Sequence, residues 1–253
     1  MWDWIGKLDE LRRSNQLAVL VTVTKSSGST PRKGGAKMIV LPDGTFFGTV
    51  GGGTPEYYAL EDARQCFESM QGGTGTVPLK PRGEFPACGG TMEYHMELIN
   101  DNPVLYIFGA GHIGQSLAHV LEGTPFRVHL IDERDEWINA PTLPGTAIRH
   151  QCHYSDFIGK ANWCDKRTFV TIMTYSGTMD QQVLEDVLPH HTRYVGMVGS
   201  KSKWAGIKKN LGEKGLDLSL VRCPIGHDNG GNSPREIAIS IASQLLATYY
   251  GRE

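Results

Sequence analysis

A chain of 253 residues, 40% hydrophobic and 21% charged, can bury one large core or two modest ones. Its formal net charge of -2, from 25 basic and 27 acidic residues, leaves no basic excess for a dedicated nucleic-acid surface. No run approaches the roughly 18 apolar residues of a membrane span, and Met1-Trp2-Asp3-Trp4 opens an acidic amphipathic segment rather than a signal peptide, so a cytoplasmic location with no membrane partner is expected.

The first hundred residues read as an α+β domain. A helix is predicted near Trp4 to Ser14 and a strand at Ala18 to Thr24. The turn-rich loop Ser26 to Gly35 follows, where Ser29, Thr30 and Arg32 set hydroxyl and cationic donors on flexible backbone. A phosphate cradle and a solvated basic turn are equally compatible with it. Lys37 to Leu41 and Thr45 to Val50 flank Pro42-Asp43-Gly44 as a hairpin. Gly51-Gly52-Gly53-Thr54-Pro55-Glu56 then ends a strand and opens a helix running to about Met70. Its glycines would let backbone N–H groups converge on a carboxylate or phosphate, while Glu56 in the first turn matches the helix dipole. Strands are expected around Thr76 to Lys80 and Thr91 to Leu98. Between them lies Cys88, beside Gly89-Gly90. Its sulfur suits molybdenum, copper or a persulfide, and a buried inert thiol fits the same context. The other cysteines, Cys66, Cys152, Cys164 and Cys223, form no C-x-x-C pair, so neither a disulfide framework nor a structural zinc site is suggested.

Asp101-Asn102-Pro103 marks a change of texture, giving expected domains 1–100 and 101–253. Val104 to Phe108 is an apolar run followed by Gly109-Ala110-Gly111-His112-Ile113-Gly114, with Asp132 closing a second run, Phe126 to Ile131. Gly109 permits a tight exit from a strand, Gly111 lets backbone approach a pyrophosphate, and Gly114 lets helix and strand pack closely. The helix from Gln115 to Leu121 would aim unpaired N–H groups at anionic oxygens. About 20 residues past the glycines, Asp132 is placed to accept from a ribose diol and to repel a 2′-phosphate. His112 either meets a phosphate or only occupies the start of the helix.

Further strands at Thr168 to Met173 and Tyr194 to Val198 alternate with helices near Gln181 to Leu188 and Lys203 to Leu211, which predicts a Rossmann-like domain with a mainly parallel sheet. Gly199 and Ser200 follow the last of these strands, at the end where ligands of open α/β sheets bind. Ser233-Pro234-Arg235-Glu236 is a capping box with proline in the first turn. Ile237, Ile241, Leu245 and Tyr249 continue from it at helical spacing, so that helix should bury one broad face. His227, beside Asp228, borders the loop before it.

Together these residues resemble the XdhC/CoxI family of xanthine dehydrogenase accessory factors. The likeness rests on Gly28-Ser29-Thr30-Pro31-Arg32, Gly48-Thr49-Val50-Gly51-Gly52-Gly53 with Glu56, and Cys88-Gly89-Gly90. In the second half it rests on Phe108 to Gly114, Tyr194 to Ser200 with Lys203, and Pro234 to Ala242. The chain departs from the family pattern at Thr174-Tyr175 before Asp180, and at Gly226 to Gly231. The resemblance implies an N-terminal XdhC-type domain and a Rossmann domain, often dimeric, binding molybdenum cofactor as molybdopterin or its dinucleotide form. It implies a non-catalytic chaperone that protects the cofactor during sulfuration by a cysteine desulfurase-type sulfurtransferase. Delivery to a xanthine dehydrogenase-type apo-enzyme would follow, with Cys88 the favoured thiol near molybdenum. The alternatives are an NAD-dependent oxidoreductase, with His112 or His227 moving a proton, and a nucleotide-sensing regulatory module.

Overall fold

The structure is a computed structural model that describes residues 3–28, 30, 32–79, 90–228 and 230–252. The chain folds as two compact units, Met1–Asp101 and Asn102–Glu253.

In the first unit, Asp3 caps helix α1 (Trp4–Ser14) by accepting from the Gly6 amide at 2.9 Å, and Asn15 ends it in the left-handed region, φ 52°. Strands β1 (Ala18–Ser27), β2 (Lys37–Val40) and β3 (Phe46–Gly48) follow, then helix α2 (Thr54–Ser69) and strands β4 (Gly73–Leu79) and β5 (Gly90–Ile99). They form an antiparallel sheet in the order β3-β2-β1-β5-β4. Strand alternation decides which helix covers which face. Val19, Val21 and Val23 pack with Met38 and Val40 against Ala59, Ala63 and Cys66 of α2. Ala18, Leu20, Ile39 and Leu41 face the other way, against Leu11 of α1.

The second unit runs β6 (Val104–Phe108), α3 (His112–Val120), β7 (Arg127–Ile131), α4 (Asp135–Ile138), β8 (Ile148–His150), α5 (Tyr154–Ile158), β9 (Thr168–Ile172), α6 (Gly177–Val187), β10 (Tyr194–Met197), α7 (Lys201–Glu213), β11 (Val221–Arg222) and α8 (Pro234–Tyr249). Its sheet is parallel, in the order β11-β10-β9-β6-β7-β8. Every residue of β6 and β9 is buried, as two-sided helix cover requires, which is why β6 reads as an unbroken apolar run and β9 as one interrupted only by Thr168 and Thr171. Leu117 and Ala118 of α3 pack with Ala238, Ile241, Ala242 and Leu245 of α8 on one face, and Val183, Leu184, Ile207 and Leu211 of α6 and α7 cover the other.

The expected α/β architecture is therefore present, including the Ser233–Glu236 capping box. Four elements were not anticipated: α4, β8, α5 and β11, of 4, 3, 5 and 2 residues. None is long enough to develop a hydrophobic period. Among the described residues no helix is long and apolar enough to cross a membrane.

One buried polar pair gives the second unit a pH dependence. His129 on β7 stacks on His150 of β8 with ring centroids 5.1 Å apart, its Nδ1 2.9 Å from His150 Nε2, and packs edge-on to Tyr106. Burial first, then the positive neighbours His150, Arg127 and Arg167, push His129 down to about 3. Burial lowers His150 as well. A histidine held neutral in the fold charges first in the unfolded chain, so its contribution is complete above pH 6.5 and shrinks as pH falls toward 3. Denaturant titrations between about pH 7 and 4.5 should show stability falling by up to about 1.4 kcal/mol per pH unit, with a shallower fall in His129→Phe. A flat wild-type profile over that window contradicts this.

Candidate functional site

Strand order reverses between β6 and β9: from β6 the chain builds outward through β7 and β8, then returns to lay β9 on the other side. The carboxyl ends of these two strands thus leave a crevice, the usual ligand position in open α/β sheets. Phe108-Gly109 and Thr174-Tyr175 line it, with Ile131-Asp132 from β7 and His153-Tyr154 beyond β8. The volume it offers is about 20 Å³. That is room for about one water molecule.

The glycines around the turn are required for different reasons. Gly109 has φ +112°, and a Cβ there would overlap the Met173 carbonyl oxygen. A Cβ on Gly114 would overlap the Gly109 carbonyl oxygen, so these two residues allow β6, β9 and α3 to approach one another. Gly111 differs. Its backbone, φ -68° and ψ -171°, suits any residue, and a Cβ there would meet nothing within 4 Å. As N-cap of α3 it supplies no side-chain hydrogen bond to the first N–H groups of that helix. A helix start of this kind is able to take an anion.

Asp132 does not present a free carboxylate. Oδ2 accepts from Ala110 N at 2.9 Å and Arg134 Nη2 at 2.7 Å, while Oδ1 accepts from Arg134 N at 3.1 Å and Nε at 2.9 Å. Burial raises its carboxyl, but the bonds from Arg134 and Ala110 outweigh burial and hold it below the usual carboxylate range. With four hydrogen bonds made, no lone pair remains for the ribose diol expected there. The Arg134 guanidinium lies over the rings of Tyr175, 4.7 Å, and Trp137, 5.3 Å, and Trp137 packs edge-on to His112 at 4.9 Å. Tyr175 is 56% exposed.

Below Tyr175, Asp180 is buried. Its Oδ1 accepts from Thr174 N at 2.8 Å and Oγ1 at 2.6 Å, and Oδ2 pairs with Lys203 Nζ, which also donates to Val198 O at 3.2 Å. The departures from the family pattern at Thr174-Tyr175 thus surround an ion pair tying the ends of β9 and β10 to α6 and α7. Ser200 caps α7 by accepting from Lys203 N at 3.1 Å, and Gly199 lies where a Cβ would crowd the Lys203 side chain. Cys223 lies next to this pair, its thiol pushed up to about 11 by burial despite Lys203.

The expected anion loops of the first unit are partly engaged with themselves. Gly51, Gly52 and Gly53 all have positive φ, and Glu56 folds back so that its Oε1 accepts from Gly52 N at 3.1 Å and from the Thr49 hydroxyl. Glu56 thus supplies a negative charge to this loop from within the chain. Thr30 Oγ1 donates to Arg32 O at 3.0 Å. Ser29 and Cys88 lie outside the described residues. Among the described residues no group of three His, Cys, Asp or Glu side chains is placed to hold a metal ion.

The XdhC Rossmann domain matches residues 105–245, and the XdhC and CoxI family model matches residues 11–78. The chain belongs to the XdhC/CoxI family. An uncharacterized protein of Escherichia coli K12, YqeB, is 25% identical over 94% of this chain and 44% of its own length. A probable xanthine dehydrogenase subunit of Bacillus subtilis is 23% identical over 75% of this chain and 58% of its own. The XdhC/CoxI chain therefore spans about half the length of these curated relatives. A Bacillus halodurans crystal structure described as a xanthine dehydrogenase shares the fold, with a TM-score of 0.55, 21% identity, and coverage of 98% of this chain and 96% of that one.

Sequence reasoning did not single out Arg134 or Trp137, and it named Tyr175 only as a departure from the family pattern. The available signal was an arginine two residues after the acid of the turn motif. Gly114→Ala should lose about 3 kcal/mol or more in calorimetry, because backbone cannot yield, while Gly111→Ala should stay within about 0.5 kcal/mol of wild type. Equal losses contradict these glycine assignments. Lys203→Met should cost roughly 3 kcal/mol by stranding buried Asp180, and an unchanged melting temperature would remove that pair from the framework.

Proposed function

We propose that this XdhC/CoxI protein is a non-catalytic accessory factor for a xanthine dehydrogenase-type molybdenum hydroxylase, and that its Rossmann crevice holds the phosphorylated pterin of molybdenum cofactor. The observation that carries this reading is the uncapped N-terminus of α3 at the strand-order reversal, with open space at Gly111 where backbone amides can take a phosphate. Family membership supplies the cofactor class, and the Bacillus subtilis relative bears the xanthine dehydrogenase name.

The amides of Gly111, His112 and Ile113 would bind the phosphate, Gly109 and Gly114 fix their positions, and displacement of the exposed Tyr175 would open the crevice. The bound group would contribute its molybdenum–dithiolene chemistry to the recipient enzyme. The protein's share is to bind, shield from water and release. In the N-terminal unit, Thr30, Arg32 and the Gly51–Gly53 loop are proposed anion contacts, and Cys88 a sulfur contact to molybdenum. A cysteine desulfurase-type sulfurtransferase, the apo-enzyme and a second copy of the chain are the proposed partners. Use of NAD by an oxidoreductase has less support, since its ribose diol would need an acceptor that Asp132 has already committed.

Gel filtration of the protein after incubation with molybdenum cofactor or with NAD tests the assignment. Retention of the pterin, lost at least about tenfold in Gly111→Ala, and transfer to a cofactor-free hydroxylase are expected. Retention of NAD alone contradicts the proposal.

A further inference from the structure

The neighbourhood of Asp132 has a chemistry that the glycine turn does not dictate. In a crevice that reads a free ribose diol, the acid at the end of the second strand must offer lone pairs. Here all of them go to Ala110 and Arg134. The Arg134 fork is held two-pronged by Nε and Nη2, and both ring faces beside it are aromatic, Tyr175 and Trp137. Its Nη1 has no partner among the described residues, leaving two donors on a planar cation whose orientation is already fixed. Because Asp132 is neutralised within the pair, its charge no longer repels an arriving dianion. The other carboxylates of this segment, Glu133, Asp135 and Glu136, are exposed, where water screens them, and Glu133 accepts from the Tyr175 hydroxyl at 3.3 Å.

On the reading that this crevice holds the ligand, we propose that Arg134 is its specificity-determining residue. It selects a ligand that brings a phosphate monoester beside the glycine turn over one that brings a free ribose diol. Asp132 is then a positioning residue: it orients the guanidinium and touches no ligand. Opening requires Tyr175 to leave the Arg134 face. A planar heteroaromatic ring from the ligand can take its place there, which fits a pterin or a purine.

Two sources of the phosphate share this chemistry, a ribose phosphate of a nucleotide and the phosphate tail of the mononucleotide pterin. Isothermal titration calorimetry with two ligand pairs separates them. NADP and NAD differ by a phosphate monoester on the ribose, and molybdopterin and its dinucleotide form differ by the tail. At least one pair should show a preference of about tenfold or more for the monoester in wild-type protein, and Arg134→Gln should erase it. The wild-type ratios need no variant to fold. Asp132→Asn should reduce the preference without abolishing binding, because the fork is released but kept. Equal affinities within both pairs, or a preference that survives Arg134→Gln, would overturn the proposal. If NADP is preferred and neither pterin form binds, Arg134 keeps its role and the molybdenum assignment falls. If both pterin forms bind equally and NADP gains nothing over NAD, the assignment stands and the role of Arg134 falls.

Discussion

Two backbone approaches and one side-chain bond shape the Rossmann turn: β6 to β9 at Gly109, α3 to the end of β6 at Gly114, and the β6 turn to the end of β7 through the Ala110 amide on the Asp132 carboxylate. In the first two a single methyl group would overlap a carbonyl oxygen. Neighbouring side chains can repack around a misfit, but a carbonyl oxygen in a hydrogen-bonded sheet cannot. The start of α3 carries no side-chain cap. Gly111 alone of the three glycines has no steric duty, and the proposed anion contact rests on it.

Charge is arranged around that geometry in two buried or half-buried ion pairs. Asp132 with Arg134 lies at the β7 side of the crevice, and Asp180 with Lys203 at the β9 and β10 side. Burying a carboxylate is costly unless its hydrogen bonds are completed, and both acids have theirs completed by backbone amides as well as a cation. Neither is available to a ligand as an acceptor. In each pair the cation is the more exposed partner. Thr174 is pinned to Asp180 while the next residue, Tyr175, swings into solvent. The Tyr175 ring lines the crevice and lies against the Arg134 guanidinium.

Much of this was legible from residue patterns, and the reasons differ by element. Strands β6 and β9 are buried on both faces and so read as mainly apolar runs, and α8 announces itself through Ser233, Pro234 and Glu236. The glycine turn was visible because its spacing reflects the sterics of strand-to-helix packing. The edge elements β8 and β11 carry three and two residues, too few for any period, and α4 and α5 are scarcely a turn long. The state of Asp132 was out of reach for another reason. A carboxylate after a second strand looks the same in sequence whether it is free or already paired, and only the folded chain shows Arg134 turned back onto it. Glu56 is a parallel case, since its helix-start position was clear and its return to Gly52 was not.

Backbone hydrogen exchange on the intact protein, with and without molybdenum cofactor, tests the central claim most directly. Added cofactor should slow exchange at Gly111, His112 and Ile113, whose amides the anion would cover, with little change across β6 itself. Unaltered exchange at those three amides, despite demonstrated cofactor binding, would place the ligand elsewhere and contradict the assignment of the crevice.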